Sequence, residues 1–99
     1  MRELIVRSAA EDDILDAALW YEARATGLGS DFIRSVDECL ASIARVPQQY
    51  PVVRRNARRA PTRRFPYAVY FVAARHSVEV VACMHVRRDP RRWRARVNP

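Results

Sequence analysis

The amino-acid sequence predicts an α+β fold of order β-α-α-β-β-β, an antiparallel sheet packed on an N-terminal helical hairpin. Three observations predict it. Apolar residues recur at helical spacing in two stretches of the first 45 residues, short β-rich runs follow from Ala60 onward, and Gly27 and Pro47 punctuate the change between them. With 99 residues and 49% hydrophobic composition the chain makes one domain over residues 1–99. That size buries roughly two-thirds of the surface exposed by the unfolded chain.

ELIVR, residues 3–7, is a short β-rich segment that ends at Ser8. Ser8-Ala9-Ala10-Glu11 fits a capping box, in which the serine oxygen accepts from the Glu11 N–H and the glutamate reaches back to the Ser8 N–H. The acids at 11, 12 and 13 suit the positive end of the helix that follows. Ala10, Ile14, Ala17, Ala18, Tyr21 and Ala25 supply its apolar stripe, Leu15 and Leu19 widen it, and Gly27 ends it. Beyond the turn Gly27-Leu28-Gly29, a second helix carries Phe32, Val36, Cys39, Leu40 and Ile43 on one face until Pro47 forbids continuation. The short connection makes the pair an antiparallel hairpin. Its stripes read as core laid on a sheet, not as a ligand groove.

PQQYPVVRRNARRAP, residues 47–61, holds three prolines and four arginines and reads as a loop leading into extended chain. Three strands follow, around Ala60 to Phe65, Tyr67 to Ala74 and Val78 to about Val86. The turn Ala74-Arg75-His76-Ser77 lacks the glycine that a tight hairpin prefers, which predicts a slightly longer loop. Tyr67, Val69 and Phe71 alternate with Ala68, Tyr70 and Val72, so both faces of that strand are apolar. One face meets the helices; the other is partly covered or awaits a partner.

No apolar run approaches the ~20 residues of a membrane span, and MRELIVRSAAEDD has acids where a secretion signal has its apolar stretch. The expected location is the cytoplasm, with no membrane contact. Cys39 and Cys83 sit in apolar neighbourhoods without CxxC spacing and read as buried, reduced thiols. His76 and His85 do not cluster with them into a ligand pattern, so neither metal nor cofactor is expected. Charge is divided unevenly. Residues 1–45 hold five arginines against nine acids, net −4, while residues 46–99 hold thirteen against Glu79 and Asp89, net +11. The back half therefore faces polyanions or an acidic partner, with arginines that present planar, bidentate donors.

The string RRFPYAVYFV at 63–72, followed by VEVVACMHVRRDPRRW at 78–93, resembles the RelE/ParE toxin superfamily of bacterial toxin-antitoxin systems. LWYE at 19–22, GLGSDF at 27–32 and IARVPQQYP at 43–51 carry the resemblance almost end to end. Arg64-Phe65-Pro66-Tyr67 entering one strand and His85-Val86-Arg87-Arg88-Asp89-Pro90 leaving the last resemble the ParE-like branch. The resemblance implies a RelE/ParE-like fold and a cognate antitoxin whose flexible segment wraps the toxin. For a toxin this basic, that wrapper is acidic. It would dock on the helical hairpin and the second sheet face by adding a helix or strand.

Two branches of the superfamily act differently. ParE-like members inhibit DNA gyrase by binding it, whereas RelE-like members cleave messenger RNA on the ribosome. Cleavage through the 2′-hydroxyl needs proton movers as well as cations. Here the nuclease set would be Arg64, His85 and Arg87, with no lysine in the chain and no tyrosine after Tyr70. The expectation is therefore a gyrase-binding toxin without catalysis of its own, the ribonuclease being the alternative and a partner-binding module that has lost toxicity a third. Expected target contacts are Arg63, Arg64, Arg87, Arg88, Arg91 and Trp93, with nucleic acid touched through the target complex.

Several of these residues also have a structural reading. His85 closes the end of a strand, Arg64 pairs with a carboxylate or loop carbonyls, and Glu79 alternates outward. Asp89 and Pro90 hold the exit turn, Asp89 by pairing with a neighbouring arginine, and Trp93 folds back as an apolar anchor. Residues 85–93 are then ordered and only the last few residues fray.

Overall fold

In the computed structural model, which describes residues 2–97, strand β1 (Glu3–Val6) leads into helix α1 (Ser8–Glu22) and helix α2 (Leu28–Arg45). A 3-10 turn at Pro47–Gln49 precedes strands β2 (Val52–Arg54), β3 (Ala57–Pro61), β4 (Tyr67–Ala73) and β5 (Ser77–His85), and helix α3 (Arg91–Val97) closes the chain. The sheet order is β1-β5-β4-β3-β2, antiparallel except where β1 joins β5 in parallel. This is the expected α+β arrangement with one strand and one helix more. Among the described residues no helix is long and apolar enough to cross a membrane.

The predicted capping box does not form. The Arg7 N–H donates to the Val80 carbonyl at 3.0 Å, so sheet pairing with β5 runs one residue past β1, and Arg7 itself becomes the N-cap, its carbonyl accepting from Glu11 N–H. Ser8 is already helical. Nor does Gly27 end α1, which stops at Glu22; Gly27 instead caps α2 with a left-handed φ of 88°. Glu22 joins the two helices, its carboxylate accepting from the Gly27 and Gly29 N–H groups at 2.9–3.1 Å. Gly29 lets the helices touch, since a Cβ there would lie 2.6 Å from the Ala18 carbonyl oxygen.

α2 buries Phe32, Val36, Cys39, Leu40 and Ile43 as its spacing predicts. α1 buries Ala10, Ala17 and Ala18, with Ile14 and Tyr21 half-buried against the same core. Ala25 lies beyond the helix and is exposed. Leu15 and Leu19 do not widen the stripe; they point to solvent, as does Trp20. Their positions lie off the arc that a narrow, alanine-lined contact with α2 can cover.

Residues 47–61 form more than a loop, because β2 and β3 make a hairpin around Arg55 (φ 51°) and Asn56. The third-last strand therefore spans Ala57 to Pro61 and not Ala60 to Phe65. Thr62 begins the turn into β4, donating its hydroxyl to the Phe65 and Tyr67 carbonyls while Arg64 takes a left-handed φ of 72°. β4 and β5 lie near their predicted bounds, with Ala74, Arg75 and His76 between them.

β5 is buried on both faces and contains a bulge: Tyr70 pairs with Ala82 but Phe71 pairs with Val80. The extra residue, Val81, reverses the inward phase midway. Val78, Val80 and Cys83 can thus share the face that meets α1 and α2, while Val81, Ala82 and Met84 face the other way. That second face is covered by α3. Trp93 stacks on Tyr70 with centroids 4.5 Å apart and planes 15° from parallel.

The basic C-terminal stretch is therefore a folded edge. Residues 94–97 continue as helix, and the rest of the fraying expectation falls on residues 98 and 99, outside those described. Asp89 holds the entry to α3, accepting from the Arg91 N–H and, at 2.6–2.9 Å, from its guanidinium.

Candidate functional site

The free edge of β5 sets the site. β1 pairs only Ser77 to Val80, so residues 81–85 lack a strand neighbour on that side. Asp13 of α1 and Arg96 of α3 close part of the edge: Asp13 accepts from the Cys83 N–H at 3.0 Å and Arg96 donates to the Val81 carbonyl at 3.1 Å. The two side chains also pair bidentately at 2.6 and 3.1 Å, which fixes both helices to the sheet.

Beyond that closure a cleft of about 760 Å³ opens between α1 and the segment after β5. Asp13, Asp16, Ala17, Trp20 and Tyr21 form one wall. Pro66, Tyr67 and the end of β5 form the floor, and Arg87, Arg88, Asp89 and Arg92 the opposite wall. An acidic and aromatic wall thus faces a basic one across a free sheet edge, a geometry suited to an extended or helical peptide.

His85 and Arg87 line this cleft, but Arg64 does not. Arg64 is held on α2, 3.0 Å from the Asp31 carboxylate, with its guanidinium 5.2 Å from the Phe65 ring centroid. The three residues of the nuclease alternative therefore do not converge. His85 Nδ1 accepts the Arg87 backbone N–H at 3.0 Å, and the imidazole stands edge-on to Tyr67 at 5.4 Å. With Nδ1 turned to the chain's own backbone, Nε2 is the ring nitrogen left for any other partner.

Several groups in and around the site are displaced from their ordinary pKa values. Burial pushes the Tyr67 phenol up, and Tyr21 beside it adds to that. Burial also pushes the Cys83 thiol up to about 12 and Cys39 up to about 11. Asp89 is drawn down to about 2 by its hydrogen bonds from Arg91, and Glu79 is drawn down by Arg7, 2.5 Å away. Glu79 is thus an ionised partner of Arg7. Among the described residues no three His, Cys, Asp or Glu side chains gather into a metal set.

Of the expected target contacts, Arg87 and Arg88 stand exposed on the cleft wall. Arg63 lines a separate hollow of about 330 Å³ beside Ser35 and Tyr50. Arg91 is exposed but engaged by Asp89. Trp93 is 4% exposed and stacked on Tyr70, which makes it the anchor of α3 and leaves its ring no free face for a target.

The cleft residues that sequence reading missed are Asp13, Asp16, Trp20, Tyr21, Tyr67 and Arg92. A signal for four of its positions exists: Asp13, Asp16, Ala17 and Trp20 recur at i, i+3, i+4 and i+7, a second helical face beside the alanine stripe.

No family model matches the sequence, and no curated protein matches it. Among solved structures the fold is similar to a chain described as "Chromosomal ParDE TA system from P. aeruginosa". The TM-score is 0.72 at 18% sequence identity, and the match covers 87% of this chain and 97% of that one. The likeness is one of fold.

Proposed function

We propose that the chain is a ParE-type toxin, acting in the cytoplasm by binding DNA gyrase and silenced by an acidic antitoxin segment. The observation that carries this reading is the near-complete overlap in fold with a ParDE chain, 97% of which is matched. The sequence motifs already pointed to the same branch. The cleft supports an antitoxin mode in which a flexible segment lies along the free edge of β5, its acids against Arg87, Arg88 and Arg92 and its apolar residues against Trp20 and Tyr67. Exposed Arg63, Arg64, Arg87, Arg88 and Arg91 remain as target contacts.

The ribonuclease reading draws on His85 and Arg87 sharing one cleft. The engagement of Arg64 by Asp31, away from that cleft, weighs against it.

Tightly controlled expression without antitoxin tests the proposal. The expected result is growth arrest with DNA-damage signalling and loss of gyrase supercoiling activity in vitro. Arrest accompanied by ribosome-dependent messenger RNA cleavage that Arg64→Ala plus His85→Ala abolishes would establish the ribonuclease instead. Unimpaired growth would favour a partner-binding module without toxicity.

A further inference from the structure

The second face of the sheet carries a hollow of about 340 Å³ near the start of α3. Arg59, Arg88 and Arg94 stand around it, and no acidic residue lines it. Arg88 also lines the main cleft, where Arg87 and Arg92 stand, so the two hollows meet at Arg88. Five guanidinium groups therefore follow one another around this end of the molecule. All five residues are exposed.

None of the five belongs to an ion pair among the described residues, where Arg7, Arg34, Arg64, Arg91 and Arg96 hold the paired carboxylates. Asp89, the acid nearest in sequence, is taken by Arg91 through three hydrogen bonds. Asp13 is taken by Arg96 and the Cys83 N–H. Asp16 stands across the cleft on α1. A cation track without salt-bridge partners among the described residues is an electrostatic footprint for a polyanion, and guanidinium suits phosphate oxygens in particular.

The form of the polyanion follows from what the track lacks. Tyr70 and Trp93 lie under the hollow but are only 2% and 4% exposed, their faces spent on each other. In this hollow they offer no platform for unpaired bases, which single-strand binding without sequence preference uses. In the adjoining cleft the exposed Trp20 ring already carries the Arg24 guanidinium on one face, 3.4 Å from its centroid. α3 has seven residues and turns Trp93 inward, so no helix stands ready to enter a major groove and read base edges. The lining of the hollow contains no serine, threonine, asparagine or glutamine to recognise a ribose 2′-hydroxyl. What remains is contact with phosphates on a regular double-stranded backbone.

We infer that Arg59, Arg87, Arg88, Arg92 and Arg94 form one track that binds the phosphate backbone of duplex DNA without reading its sequence. This stands apart from the toxin reading, because it concerns the isolated chain and needs neither gyrase nor antitoxin.

Cell-free-synthesised chain, titrated into a fluorescent DNA duplex of about 20 base pairs at about 50 to 200 mM salt, tests it by anisotropy. Five phosphate contacts predict a slope of log Kobs against log salt of about −4.5, at roughly −0.9 per contact. Arg59→Gln with Arg94→Gln should reduce that magnitude by about 1.8, and Arg87→Gln with Arg92→Gln should do the same from the other end of the track. Arg45→Gln with Arg75→Gln removes equal charge from exposed positions outside it and should leave the slope unchanged. Equal weakening by all three pairs would mean binding by net charge and would overturn the inference. So would tighter binding to a single strand or an RNA duplex of the same length, or no binding at the lowest salt.

Discussion

Removing Asp13 is expected to loosen the C-terminal third of the fold from the rest. Asp13→Ala deletes three hydrogen bonds, two from the Arg96 guanidinium and one from the Cys83 N–H. It leaves the Arg96 charge partly buried against the Val81 carbonyl and opens the Cys83 N–H onto the cleft. Breaking a fully buried pair by removing one partner costs about 3–5 kcal/mol. Here the side chains retain 16% and 26% of their exposure, so water recovers part of that, and roughly 2–3 kcal/mol remains. For a domain of this size the loss lowers the melting temperature by about 8–24 °C. Thermal and urea unfolding of Asp13→Ala, Arg96→Ala and the double variant make a cycle whose coupling should be favourable by about 1–2 kcal/mol. Single variants that each cost less than about 0.5 kcal/mol, with no coupling, would refute the claim that this pair clamps α3 and α1 to β5.

Three further outcomes are expected. Gly29→Ala should destabilise by about 1–3 kcal/mol in urea unfolding. The new Cβ would meet the Ala18 carbonyl oxygen at 2.6 Å, a backbone atom that moves only with its helix, and that outweighs the gain of about 1 kcal/mol from alanine's helix propensity. At about pH 8 iodoacetamide should label neither cysteine in the folded chain and both in urea, because burial pushes Cys39 up to about 11 and Cys83 up to about 12 and only thiolate reacts; folded-state labelling at the unfolded rate would count against that burial. Asp89 should titrate near pH 2 by carbon NMR. Because its folded pKa is depressed, the stabilising contribution is present above the ordinary carboxylate range and is lost as pH falls through about 2; a midpoint in the ordinary range would mean that Arg91 does not hold it.

The legible parts of the fold were those where one period dominates. α2 shows its buried face because five apolar residues at helical spacing stand among polar ones. β5 hid its bulge because VVACM is apolar throughout, and a strand buried on both faces carries no alternation for a phase change to interrupt. The Ser8 capping box satisfied every local rule and lost to a longer-range bond, the Arg7 N–H to Val80. Arginines disguised the β2–β3 hairpin and α3 alike. Arg55-Asn56 turns the chain without glycine, and RRWRARV reads as a charge run although Arg and Ala favour helix and Asp89-Pro90 supplies its start. At the site, His85 and Arg87 were found as strand-end residues, but the α1 wall was not, since its acids read as dipole complement and Trp20 as a family mark.

The location of the cleft follows from a mismatch in strand length. β1 has four residues and β5 has nine, and because β1 pairs from Ser77 the surplus lies at the C-terminal end of β5. An uncovered edge leaves backbone donors and acceptors that must be satisfied or will recruit another chain. Asp13 and Arg96 satisfy the Cys83 N–H and the Val81 carbonyl, one coming from the acidic front half and the other from the basic back half. Their mutual attraction holds two elements far apart in sequence at the same edge. Past Cys83 this closure ends, and the His85 carbonyl is met by the Arg88 N–H as the chain turns away to form the basic wall. The cleft therefore opens where the clamp stops, with acids behind it on α1 and unpaired arginines ahead. The division of charge along the sequence and the open edge in the structure thus meet at one place, the end of a strand longer than its neighbour.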